Sequence, residues 1–131
     1  MRAAAAMLLA ALAAGCATIE RTDVYHGRGI GNGERPLETI EIENTGWLLF
    51  KCIPLGSGNP ARPNSVGCRL FRNTVTLQNN LDMLAAEMER VGAARIVNLS
   101  SRKTDETIFV ILLTRHACHT SAVLLKPRAE Q

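Results

Sequence analysis

Two hydrophobic periods alternate along the chain. In LETIEIENTGWLLFKCIPL, starting at Leu37, Ile40 and Ile42 alternate with Glu41 and Glu43, the period of a strand with one buried face. Asn44-Thr45-Gly46 carries turn chemistry. Residues 47–53 read as a second strand ended by Pro54, so the segment predicts a hairpin. Farther on, Leu77, Leu81, Leu84, Ala85, Met88 and Val91 recur at helical spacing, which predicts an amphipathic helix. Thr76 suits its N-cap and Gly92 the left-handed residue that ends it. Glu87, Glu89 and Arg90 are expected on the solvent face, and Met83 and Met88 as core fillers rather than metal ligands.

After the helix, AARIVNLSS reads as a strand, Arg102 to Asp105 as a polar turn, and ETIFVILLTRHAC as a long strand buried on both faces in its middle. SAVLL reads as a last short strand. Before the helix, LGSGNPARPNSVGC is a Gly/Pro loop, and residues 68–72 form a possible short extra strand. The pattern predicts an α+β fold: a small antiparallel sheet of two hairpins with one main helix packed on it.

Composition narrows the picture. A chain of 131 residues is the length of one domain. Aromatic content is 4% against 47% hydrophobic, so the core must be built from Leu, Ile, Val and Ala. The net charge of +3 comes without a clustered basic face, which argues against nucleic acid as a partner. Gly27, Gly29, Gly31 and Gly33 alternate with other residues but match no dinucleotide fingerprint, so they read as a flexible tether.

The N-terminus carries the strongest motif. Arg2 precedes an uninterrupted apolar run over residues 3–14, too short to span a bilayer and suited to a secretory signal. It leads through Leu12-Ala13-Ala14-Gly15 to Cys16. This stretch resembles the lipobox of bacterial lipoproteins, with Ala13 where Leu is usual. The resemblance covers residues 1–17. It implies cleavage before Cys16, a diacylglyceryl group on its thiol and an N-acyl group on its new amine, with no other cofactor. Ala17, in place of the Asp that retains lipoproteins in the inner membrane, implies the periplasmic face of the outer membrane. The chain then divides into a signal peptide (1–15), a lipid-anchored Gly-rich tether (16–36), a single periplasmic domain (37–126) and a tail (127–131).

Little in the remaining residues points to catalysis. Cys52, Cys68 and Cys118 lie in what would be an oxidising compartment, where thiols tend to pair. Cys52 and Cys68 bracket the Gly/Pro loop and are a disulfide candidate; Cys52–Cys118 and no bridge at all are the alternatives. His116, Cys118 and His119 carry metal-ligating chemistry but lack the paired spacing of a zinc site. They define the alternative reading, a metal-binding or metal-sensing module. Cys118 as the nucleophile of a thiol enzyme lacks a visible orienting group. Trp47 is either a core piece or an anchor for a partner. The expectation is a non-catalytic binding module, held to the membrane by its lipid and meeting an envelope protein.

Overall fold

The computed structural model describes residues 15–23, 34–109 and 112–127. Six strands and one helix follow in order: β1 (Ala17–Thr22), β2 (Glu34–Leu49), β3 (Ile53–Ser57), β4 (Arg69–Leu70), α1 (Leu77–Val91), β5 (Arg95–Phe109) and β6 (Leu113–Pro127). All pairings are antiparallel, in the order β4-β3-β2-β6-β5, with β1 also on β2. Strands hold 58% of the described residues and the helix 15%. The expected small two-hairpin α+β sheet is therefore corrected to a β-dominated fold, one six-stranded sheet carrying a single helix.

The correction has two local causes. β2 does not turn at Asn44-Thr45-Gly46. It runs on to Leu49, and the chain reverses at Phe50 and Lys51, both at positive φ (52° and 59°). Asn44 stays in the strand because its side chain is buried and donates to the Thr74 carbonyl (2.6 Å). Gly46 stays because a Cβ there would stand 2.8 Å from His116 Nε2. Likewise Arg102 to Asp105 is not a turn. β5 runs through it to Phe109, and β6 begins at Leu113. β5 lies at the edge of the sheet and is exposed along most of its length, so water solvates its charges without breaking the strand.

A third difference lies near the N-terminus. Ala17–Thr22, within the stretch read as tether, forms β1 on β2, with Ala17 opposite Asn44 and Thr22 opposite Thr39. The apolar run over residues 3–14 and the alternating glycines lie outside the described residues.

The core sits between α1 and one face of the sheet. It joins Ala17 and Ile19 of β1, Ile40 and Ile42 of β2, Ala122 and Leu124 of β6, and Met83 and Leu84 of α1. Each fully buried aliphatic side chain stabilises the fold by about 1.5–3 kcal/mol, so these few residues dominate the packing energy. The helix is capped as its sequence predicts. Thr76 Oγ1 accepts from the Asn79 N–H (3.1 Å), and Gly92 takes the left-handed conformation with φ 67°. Its buried face is more polar than the spacing suggests. Asn80 and Glu87 are buried with Met83 and Leu84, whereas Leu77 is 45% exposed.

Candidate functional site

The residues of interest occupy four places on the sheet. The first is a junction on one edge of β2, where β1 and β3 meet end to end. Thr45 holds both. Its N–H donates to the Cys16 carbonyl (2.8 Å), its carbonyl accepts from the Gly58 N–H (3.0 Å), and its Oγ1 accepts from the Cys16 N–H (3.0 Å). Gly58 is obligatory for the close approach: a Cβ there would lie 2.4 Å from both Cys16 C and Ala17 N. Cys16 is thus fixed by its backbone while its side chain is exposed. An acylated amine keeps one N–H, so the bond to Thr45 Oγ1 survives the modification that the lipobox resemblance implies.

The second place lies under the N-terminal half of α1. Strand alternation puts His116 and Cys118 on the helix-covered face of β6 and His119 on the opposite face. His116 and Cys118 are buried, and His119 is exposed. The three therefore do not converge, and among the described residues no group of three or more His, Cys, Asp or Glu side chains is placed to hold a metal ion. Cys118 lies opposite Asn44, and its carbonyl accepts from Asn80 Nδ2 (2.8 Å). Burial pushes its thiol pKa up, the reverse of what an activated nucleophile needs. Burial also lowers the His116 pKa, with Asp105 acting weakly against it. His116 Nε2, Asn44 Oδ1 and Asn80 Oδ1 are buried without a protein hydrogen-bond partner, so this polar layer costs stability wherever water does not satisfy it.

The third place is the open face. Thr18, Glu43, His119 and Arg102 form one cross-strand row, and Glu20, Glu41, Ser121 and Ser100 form the next. They line a shallow depression of roughly 300 Å³. Acids gather over β1 and β2, and bases over β6 and β5. Glu43 Oε1 is approached by Arg115 at 3.4 Å and by His119 Nε2 at 3.8 Å. Trp47 is on the same face, half-buried, opposite Arg115 and Gly56. Such a surface can hold polar ligands by charge and hydrogen bonds.

The fourth place is a rim that the sequence did not reveal. Phe50, Ile53, Leu70, Phe71, Ile108 and Leu112 are each about half exposed or more. The strand order puts them along one end of the sheet: Leu70 and Phe71 by β4, Ile53 on β3, Phe50 after β2, Leu112 before β6 and Ile108 on β5. The Phe50 N–H donates to the Leu112 carbonyl (2.9 Å) and so joins the two hairpin tips. Cys52 and Cys68 flank this rim as separate thiols. The missed signal was present as apolar residues in hairpin tips, where strands and turns are hard to tell apart.

No protein-family model, curated protein or solved structure matches this chain.

Proposed function

We propose that this is a lipid-anchored protein of the cell envelope, facing the periplasm from the outer membrane and acting as a non-catalytic binding module. The observation that carries this reading is the Thr45 junction. It fixes the Cys16 backbone at the start of β1 while leaving the side chain outward. A lipid there tethers the domain directly, with no flexible spacer between anchor and sheet. The apolar rim supports the second half of the reading, because a run of exposed apolar side chains on a small domain marks a contact surface. Its partner is an envelope protein presenting an apolar patch.

The deciding experiment replaces the anchor. Cys16→Ala is expected to move the protein from the membrane fraction to the soluble fraction and to remove the acyl mass from the intact chain. Retention in the membrane, or an unacylated Cys16 in the parent, rejects the anchor. With the anchor intact, Phe50→Asp combined with Phe71→Asp is expected to abolish cross-linking to the partner without changing the circular dichroism spectrum. Unchanged cross-linking rejects the rim as the contact.

A further inference from the structure

β5 is a terminal strand of the sheet, and no described element pairs with its outer edge. Edge strands of this length invite pairing with another chain and are ordinarily blunted by charge. β5 carries charge, but in an unusual order: Arg102-Lys103-Thr104-Asp105-Glu106. The order is complementary to itself when reversed. An antiparallel second copy centred on Thr104 sets Arg102 against Glu106 and Lys103 against Asp105, on both sides of the two-fold axis. A row of like charges would repel that copy; this one attracts it.

Three further features fit the same register. The side chains alternate correctly, since Arg102 and Glu106 pair in the sheet with His119 and Arg115 on the open face, whereas Lys103 and Asp105 pair with Cys118 and His116 on the helix face. Each complementary pair therefore stays on one face of a continuous sheet. The flat part of β5 also has the right length. Its ladder with β6 is regular from Ser100 to Thr107 and is broken by a bulge at each end. The four charges are exposed, and none takes part in a salt bridge among the described residues. Opposite charges facing each other across two strands stabilise the pairing, and like charges oppose it. A slip of two residues in either direction would put Lys103 or Asp105 against itself, so the charge pattern selects one register.

We infer that two copies of this chain pair antiparallel through their β5 edges about a two-fold axis at Thr104. The resulting sheet runs β4-β3-β2-β6-β5-β5-β6-β2-β3-β4. The contact is isologous, as a closed two-fold dimer requires, and it consumes the exposed edge. Seven residues per copy make a small interface, so association is weak in dilute solution and strengthens when both copies are confined to one surface.

Cysteine cross-linking of the full chain under mild oxidation tests the register. Directly opposed residues have Cβ atoms about 5 Å apart, within disulfide reach, so Thr104→Cys is expected to give a covalent dimer on a non-reducing gel well above the parent's background from Cys52 and Cys68. Ser101→Cys faces Thr107 of the other copy and is expected to stay at that background. Added to Thr104→Cys, Lys103→Asp is expected to cut the dimer roughly tenfold, and further addition of Asp105→Lys to restore it. Equal cross-linking by Ser101→Cys and Thr104→Cys, or no dimer above the parent, overturns the proposal. So does a yield that ignores the charge reversal or is not rescued by the swap.

Discussion

Arg21 of β1 grips the carboxylate of Glu87 on α1 with two parallel hydrogen bonds, Nε to Oε2 at 2.8 Å and an Nη to Oε1 at 2.7 Å. Arg90 adds a third at 2.7 Å and reaches on to Glu38 of β2, also at 2.7 Å. The network sews β1 and β2 to the helix across the edge of the core. The Arg21 hydrogen bonds hold the Glu87 pKa down at about 2 despite its burial. Its folded value lies below its unfolded value, so the stabilisation is complete above the unfolded pKa of about 4.5 and is lost as pH falls toward 2. Glu87→Gln is expected to cost about 1–2 kcal/mol at pH 7, discounted because Arg21 is partly exposed. Denaturation midpoints at pH 7 and pH 3 check this: the gap between parent and variant must shrink at pH 3.

Gly58→Ala is expected to separate β1 from the sheet, because its Cβ would collide with the backbone of Cys16 and Ala17. Overpacking of this kind costs about 1–3 kcal/mol or more. Gly92→Ala meets open space and carries only the strain of φ 67°, about 1 kcal/mol. Hydrogen exchange distinguishes the two: Gly58→Ala must deprotect the amides of β1 selectively, and Gly92→Ala must not.

His116 should make the domain acid-sensitive. Burial depresses its folded pKa below the unfolded value of about 6.5, so stability is full above that pH and falls as the pH drops through the folded pKa. The charged groups acting on it are Asp105 and Lys103 from β5, and Gly46 of β2 lies close to its Nε2. In the parent, the melting temperature is expected to fall between pH 7 and pH 5. His116→Gln is expected to flatten that part of the profile, and an unchanged slope would refute the assignment.

Cys118 should be inert in the folded chain. With 0% exposure and a raised thiol pKa, it is expected to alkylate only on global unfolding, whereas Cys52 is exposed and reacts at once. Mass spectrometry after timed alkylation reads both thiols separately. Rapid modification of Cys118 would restore the thiol-enzyme reading.

The sequence made the regular elements legible wherever one rule governed them. Ile40 and Ile42 alternate as read and are both buried, and α1 has the expected caps at Thr76 and Gly92. The failures came where tertiary contacts overrode local chemistry. Asn44 and Gly46 look like a turn, yet Thr74 and His116 explain both within a strand. Phe50 and Lys51 have side chains that disfavour positive φ, so nothing local marks the real turn. Glu87 was expected in solvent, and its burial is made tolerable by Arg90 beside it on the helix and by Arg21, sixty-six residues away in sequence. The site residues fared similarly. Strand alternation already set His119 apart from His116 and Cys118, but the rim depends on a strand order that the sequence does not state.

The inner position of β6 has a temporal consequence. β6 is the last described element in sequence, yet it lies between β2 and β5 and supplies Leu124 to the core. Until it has emerged, β2 and β5 have no shared neighbour and α1 has only half a surface to rest on. The sheet therefore closes late in synthesis, when the fifteen residues of β6, the last described strand, join β2 to β5.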